Sequence, residues 1–220
     1  MILDGESIFK SFFQGKKEIP VLKGASLHLA RGETLAIIGK SGSGKSTLLS
    51  LLSGVDRPNS GQLNFLGKNF TTLSENEISE LRASKMGIIF QQFFLIPHLT
   101  ALENIQLPLQ INGKGSQLEE AQQWLEKVGL ADRGNHFPDQ LSGGEKQRVA
   151  IARALVHSPD LVLADEPSGS LDEKTGKEIM DLIFQLVSEK MKGIILVTHD
   201  KELAARCDRI LNLENGVLLS

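Results

Sequence analysis

The sequence predicts an α/β fold, a sheet of mostly parallel strands covered by helices, with a helical insertion of about sixty residues in its middle. Three observations predict it. Wholly apolar segments alternate with helical patterns in the last third of the chain, as in a parallel sheet buried on both faces. A phosphate-binding pattern, G-x-x-x-x-G-K-[ST], stands between an apolar strand and a helix. The stretch from Thr100 to His157 is dominated by helical patterning.

The elements follow in order. Ser7–Phe13, Ala25–Ala30, Glu33–Ile38 and Gln62–Leu66 are short apolar runs separated by glycines and charges, and read as strands. Between them Lys45–Ser53 reads as a helix with Leu48, Leu49, Leu51 and Leu52 on its buried side. Gly87–Phe90 is a further strand. Pro138 breaks the helical middle, and Ser142 opens a long helix to about Val156. Then come strand Leu161–Ala164, helix Asp172–Glu189, strand Ile194–Thr198, helix Asp200–Arg206 and strand Arg209–Leu213. No repeat, low-complexity tract or Pro/Gly-rich linker divides the 220 residues, so one domain over 1–220 is expected.

Composition excludes several classes. With 40% hydrophobic and 23% charged residues the chain reads as a globular protein with a sizeable core. A net charge of −3 gives no basic face for nucleic acid. One cysteine, Cys207, cannot form an internal disulfide framework and fits a reducing compartment. The first residues, Met1–Glu6, carry acid where a signal peptide carries basic residues. No run approaches the roughly 18 apolar residues of a membrane span. A cytosolic location is expected, with any membrane role passing through a partner.

Gly39-Lys40-Ser41-Gly42-Ser43-Gly44-Lys45-Ser46 fits the phosphate-loop pattern at every fixed position. Strand Leu35–Ile38 precedes it and a helix follows, which aims backbone N–H groups and a helix N-terminus at phosphates. Glycines let the backbone wrap the anion. Lys45 is expected at the β- and γ-phosphates of ATP, and the Ser46 hydroxyl at Mg²⁺.

Leu161-Val162-Leu163-Ala164 is an apolar strand that ends in Asp165 and Glu166. Ligands of open α/β sheets sit beyond the carboxyl ends of strands, so both acids are expected to face phosphate. Asp165 is the candidate Mg²⁺ partner. Glu166 is the candidate base for the attacking water. The plainer reading is a strand ending in a turn, which leaves two acids after four apolar residues unexplained.

Leu141-Ser142-Gly143-Gly144-Glu145 reads first as a capping box, S-x-x-E, at the start of a helix. A capping box does not ask for two glycines in the first turn, where each costs up to about 1 kcal/mol against alanine. Glycines there open the helix N-terminus to another molecule. The chain thus carries two phosphate-type sites, one loop lysine and one Asp-Glu pair. A second copy of the chain reconciles these, each ATP being held by one copy's loop and the other's Ser142 turn.

Taken together, Gly39–Thr47, Gln91, Leu141–Gln147, Leu161–Glu166, Ser168–Asp172 and His199 resemble ABC-transporter nucleotide-binding subunits in order and spacing across nearly the whole chain. The resemblance implies a P-loop NTPase core with a mostly parallel sheet, an N-terminal antiparallel β subdomain, and a helical subdomain inserted at about 92–156. It implies ATP and Mg²⁺ as ligands, an ATP-dependent homodimer, and an integral membrane permease as partner. Thr47 joins the loop residues that bind nucleotide. Leu141–Gly144 is the signature that meets the γ-phosphate across the dimer, with Glu145 where many members have Gln. Gln91 is the Q-loop glutamine, at Mg²⁺ or water. His199 is the switch histidine at the γ-phosphate. Ser168–Asp172 is the D-loop, with Ser168 and Ser170 where many relatives have Thr and Asn. Phe12 aligns with the aromatic residue that stacks on adenine; with no tyrosine in the chain, Phe12 or Phe13 must supply the stack, and core packing is the rival reading for either.

Phe93-Phe94-Leu95-Ile96 directly follows the Q-loop and reads either as a docking surface for the permease or as core of the helical insertion. Leu73–Met86, Leu99–Asn104 and Leu203–Arg209 are similar to the subgroup of lipoprotein-releasing and macrolide-exporting ATPases and their uncharacterised cousins. That implies a peripheral subunit at the cytoplasmic face of the inner membrane, powering release or export of a lipid, lipoprotein or hydrophobic compound. Two other classes share parts of this design. ABC ATPases of DNA or ribosomes carry coiled-coil insertions or paired cassettes, which this chain lacks. A regulator of a cell-division membrane protein uses the same subunit design, and only its partner distinguishes it. A simple phosphate-loop kinase has no counterpart of the Ser142 turn. No regulatory domain is expected after the last strand.

Overall fold

The structure, a computed structural model, describes residues 1–113, 117–188 and 192–219. Along the chain run β1 (Leu3–Gln14), β2 (Lys17–Leu29), β3 (Thr34–Ile38), α1 (Lys45–Leu52), β4 (Ser60–Phe65), β5 (Lys68–Asn69), α2 (Glu75–Lys85) and β6 (Met86–Ile89). They are followed by α3 (Ala101–Ile111), α4 (Leu118–Lys127), α5 (Gly143–Leu155), β7 (Leu161–Asp165) and α6 (Glu173–Ser188). The last elements are β8 (Gly193–Val197), α7 (Lys201–Ala204), β9 (Arg209–Glu214) and β10 (Val217–Leu219). Contacts divide them into two units, residues 1–82 with 192–219, and residues 83–188.

The first unit holds an antiparallel sheet in the order β2-β1-β4-β5. Its two long strands form a hairpin from Leu3↔Leu29 to Gln14↔Lys17. The apolar runs marked only Ser7–Phe13 and Ala25–Ala30 as strand. The added stretch Lys17–Pro20 is exposed throughout, so backbone pairing with β1 builds it without leaving an apolar pattern. A second set of strands lies in the order β10-β9-β3-β8, with β3 parallel to both β8 and β9. Leu35, Ala36, Ile37 and Ile194–Val197 are fully buried, as the unbroken apolar runs required. Strand β10, absent from the sequence reading, returns antiparallel to β9 through the two-residue turn Asn215–Gly216. Asn-Gly is the short-range hairpin signal that the reading overlooked. Helix α2 was also unread as a helix, because it buries only Ile78 and shows no apolar stripe.

In the second unit β6 and β7 pair in parallel, from Met86↔Leu161 to Ile89↔Ala164. Helices α3 and α6 pack on α5, which lies against β6. Thr100 and Glu103 form a capping box at the start of α3. Buried Asn104 braces the preceding turn, accepting from Ile96 N (2.8 Å) and donating to the carbonyls of Leu99 and Thr100 (each 2.9 Å). Pro138 lies in a short 3-10 turn, Pro138–Gln140, and Ser142 caps α5, as the sequence suggested. Asp172 and Asp200 cap α6 and α7 from just outside those helices. Glu189, the expected end of the α6 helix, lies outside the described residues.

Strand β6 approaches α5 at Gly87, where a Cβ would lie 2.2 Å from the Ala154 carbonyl oxygen. Backbone cannot yield as a side chain does. Gly87→Ala should therefore lower unfolding stability by roughly 1–3 kcal/mol, the usual cost of overpacking, read from urea midpoints at constant m. An unchanged midpoint would contradict this contact.

Candidate functional site

Strand β3 leads into the phosphate loop, and α1 starts at Lys45. Its N-cap is Gly44, with φ of 104°, and no side chain caps the helix. The cap residue therefore offers no side chain to the first-turn N–H groups, which suits an anion. Lys45 Nζ donates to the carbonyls of Gly39 (2.8 Å) and Lys40 (3.1 Å). Two of its three protons are thus donated to loop carbonyls. Ser43 Oγ is buried without a partner among the described residues, a donor set in the floor of the loop. Gly39 has no room for a Cβ, which would meet Leu213 O at 2.6 Å and Ser43 Oγ at 2.8 Å. Ser41 and Gly42 are exposed on the rim, Ser46 is exposed in the first turn of α1, and Thr47 is half-buried.

A cavity of about 390 Å³ opens beside the loop. Lys40–Ser43 form one wall, Ile19, Pro20 and Val21 of β2 an apolar second, and the Asn215–Gly216 turn a third. Sequence reasoning missed these wall residues, which come from two strand segments it had not recognised. Phe12 pairs across the hairpin with Ile19, and directly opposed residues share a face. Phe12 is 44% exposed and Phe13 72%, so neither is core. Lys10 Nζ stands 5.2 Å from the Phe12 ring centroid and bridges to Asp56 at 2.7 Å, which holds that carboxyl below its ordinary range despite partial burial. His199 is exposed directly beyond β8. Ile37↔Val197 are paired and Thr198 N donates to Ile37 O, so Gly39 and His199 lie level, each two residues past that pair.

In the second unit the same parallel geometry recurs. Ile89↔Ala164 are paired, so Gln91 and Glu166 lie level, each two residues further on. Strand β6 stops one residue earlier than Gly87–Phe90 suggested. Asp165 is the last residue of β7. Glu166 has φ of +46°, a left-handed conformation that a residue with a Cβ adopts only where its surroundings enforce it. Gly169 N donates to Glu166 O at 2.9 Å. Ser170 Oγ donates to Gln91 O at 2.9 Å, and a Cβ on Gly169 would lie 2.9 Å from Gln91 Nε2. The segments resembling D-loop and Q-loop therefore touch within this unit.

Ser142, Gly143, Gly144 and Glu145 form the start of α5. The capping box is complete: Glu145 N donates to Ser142 Oγ (3.3 Å) and Ser142 N to the Glu145 carboxylate (2.8 Å). Arg133 Nε holds the other carboxylate oxygen at 2.9 Å. The Ser142 amide and hydroxyl, then Arg133, keep Glu145 ionised below its ordinary value of 4.5. Ser142 and Gly143 are exposed. Gly144 has a packing reason as well, since a Cβ would meet Thr175 Cγ2 of α6 at 2.7 Å. A Cβ on Gly143 would likewise meet Leu171 Cδ2 at 3.3 Å, so both glycines have a packing reason.

Two further residues of α5 escaped the sequence reading. Gln147 is fully buried and donates to Pro167 O (2.6 Å) and Phe90 O (3.3 Å). Arg153 donates to the carbonyls of Phe94 (2.6 Å) and Phe93 (2.9 Å), and desolvation lowers its pKa. Of the apolar run after Gln91, Phe94 is exposed and stacks edge-on with Phe90 at 5.0 Å, while Phe93, Leu95 and Ile96 are half-buried.

The family described as ABC transporter matches residues 22–169. The chain is 48% identical over 219 residues to the uncharacterized ABC transporter ATP-binding protein YbbA of Escherichia coli (strain K12), covering 99% of this chain and 96% of that one. It is 46% identical over 220 residues to the lipoprotein-releasing system ATP-binding protein LolD of Legionella pneumophila (strain Lens), covering 99% and 97%. Its structure is similar to a dimeric post-hydrolysis state of the ATP-binding cassette MJ0796 bound to ADP and Pi, with TM-score 0.92, 39% identity, and coverage of 100% and 97%.

Because the folded pKa of Glu145 is depressed, its stabilisation is complete above about pH 4.5 and is lost as pH falls through the lowered native value. Glu145→Gln keeps an oxygen for the Ser142 amide but does not titrate. Its urea midpoint should therefore fall less than that of the wild type between roughly pH 5.5 and 3.5. Equal acid sensitivity of the two proteins would remove Glu145 from the linkage.

Proposed function

This chain belongs to the ABC transporter ATP-binding family, whose members hydrolyse ATP, and within it we propose a subunit that dimerises around two ATP and drives a membrane permease. One observation carries the dimer. Two helix N-termini of this chain, those of α1 and α5, carry glycines, and at α1 Lys45 donates into the loop that precedes the helix. A second copy gives each ATP one of each. The dimeric cassette of similar structure supports that reading.

The residues then take the following roles. Gly39 to Thr47 hold the phosphates, with Lys45 at the β- and γ-phosphates and Ser43 Oγ as a further donor. Phe12 stacks on adenine, beside the Ile19–Val21 wall. A hydroxyl, a carboxylate and an amide oxygen are the hard donors Mg²⁺ takes alongside phosphate and water, so Ser46, Asp165 and Gln91 would hold it. Bound there, Mg²⁺ neutralises charge on the phosphate oxygens. Glu166 accepts the proton of the attacking water as its oxygen bonds to the γ-phosphorus and the β–γ bridge breaks to release ADP. His199 contacts the γ-phosphate. Ser142, Gly143 and Gly144 meet the γ-phosphate bound by the other copy, while Glu145 keeps its carboxylate on Ser142 and Arg133.

The cargo follows the subgroup. The Legionella relative serves a lipoprotein-releasing system, and we extend this to a lipid, lipoprotein or hydrophobic compound handled by this chain's permease. Among the described residues no helix is long and apolar enough to cross a membrane, so the subunit would sit peripherally at the cytoplasmic face of the inner membrane through that permease. The exposed Phe90–Phe94 pair supplies apolar surface for the contact. A net charge of −3 favours no nucleic-acid partner.

Three variants separate the roles. Glu166→Gln should bind ATP almost as the wild type, form dimers on size exclusion with ATP, and lose turnover by around 10²–10⁴, or about 3–5 kcal/mol of barrier. Lys45→Ala should lose ATP binding itself. Folded Ser142→Ala should bind ATP and hydrolyse it poorly, beyond the roughly 0.5–2 kcal/mol of stability a lost cap costs. Mixing Ser142→Ala with Lys45→Ala should restore one complete site per heterodimer. Wild-type turnover in Glu166→Gln would move the base elsewhere, and verified heterodimers without activity would sink the shared site.

A further inference from the structure

We propose that Gln147 is a positioning residue for catalysis: its buried amide locks the turn that presents Glu166 and ties it to the backbone that presents Gln91. The role rests on Glu166 being the base, as assigned above.

Glu166 sits in a left-handed conformation at φ +46°, and such strain persists only where neighbours over-determine it. Gly169 N donates to Glu166 O at 2.9 Å. The next carbonyl, that of buried Pro167, takes a 2.6 Å hydrogen bond from Gln147 Nε2. The same nitrogen donates at 3.3 Å to Phe90 O, the carbonyl immediately before Gln91. Gln91 and Glu166 stand level at the ends of the paired strands β6 and β7, so one amide spans both strand ends.

The orientation of that amide is dictated. Both of its neighbours are carbonyl acceptors, so only the NH₂ group can face them. Gln147 Oε1 is left buried with no partner among the described residues. An unpaired buried oxygen is costly, and an apolar side chain would avoid it. A residue kept for packing alone has no need of that arrangement. A clamp that supplies two donors does. Gln147 lies five residues after Ser142 on the same helix, so the helix whose N-terminus faces a second copy also grips the base of its own.

The test is a cycle of Gln147→Met and Glu166→Gln, measured by steady-state phosphate release and equilibrium ATP binding on the full chain. Methionine keeps length and volume and removes both donors. Gln147→Met should lower kcat by roughly ten- to a hundredfold, the loss expected when a reacting group is misplaced by about 1 Å. ATP affinity should stay within about twofold, since the phosphate loop is not touched, so the loss falls on kcat and not KM. Placed on Glu166→Gln, the methionine should cost no more than about twofold further, because a positioner has nothing left to position. If Gln147→Met does not fold, Gln147→Asn, an amide one methylene short, goes through the same cycle with the same expectation of non-additivity. Wild-type kcat in the Gln147 variant beside an impaired Glu166→Gln overturns the proposal alone, as do losses that multiply in the double variant. Wild-type kcat in Glu166→Gln overturns the base assignment and this role with it.

Discussion

An unpaired backbone N–H at the start of a helix must find an acceptor, and in this chain that requirement organises nearly everything else. At α1 the cap is glycine, which closes the helix with no side chain of its own, and the carbonyls of Gly39 and Lys40 accept from Lys45. The loop can hold this form only because strands bring it support from far along the sequence. Gly39 abuts Leu213 of β9, and the β2 segment Ile19–Val21 walls the adjoining cavity. A phosphate site is thus built of backbone, while side chains serve mainly to keep that backbone open.

Helix α5 meets the same requirement differently. Its first turn is closed from within by Ser142 and Glu145, yet Gly143 remains exposed and Gly144 lets α6 approach to within a side chain's breadth. Further along, Gln147 and Arg153 donate to four carbonyls that no regular ladder satisfies, those of Phe90, Phe93, Phe94 and Pro167. Irregular turns need such donors, since a buried carbonyl without one is costly. One amphipathic helix therefore stabilises the loops around the chemistry and presents its own N-terminus outward. The left-handed Glu166 persists within that frame because its own carbonyl and the next one, that of Pro167, are both held.

Local chemistry written into consecutive residues was legible in the sequence. The phosphate loop, the Asp165–Glu166 strand end, the Ser142 capping box and the unbroken apolar strands each depend on neighbours within a few positions. The same holds for the family, because its motifs are short, ordered and backbone-based. Where an element lacked an apolar pattern the reading faltered: the outer half of β2 is exposed, α2 buries one residue, and β10 is three residues long. Each is stabilised by pairing or capping, which hydrophobic periodicity does not record.

The sequence by itself determined the family, through a glycine-rich loop with its lysine and a strand ending in two acids, since these residue types at fixed spacing are specific to few proteins. Only the tertiary structure decided what holds those groups in place. The levels Gly39–His199 and Gln91–Glu166 come from strand register, and the clamp of Gln147 on Pro167 joins residues 20 apart in the chain. Glu145 turns to Arg133 rather than outward, and Gly144 is small for the sake of Thr175. The physical reason is the same in each case: a hydrogen bond or a close packing contact is set by positions in space, and residues distant in the chain acquire those positions only once the strands and helices have paired.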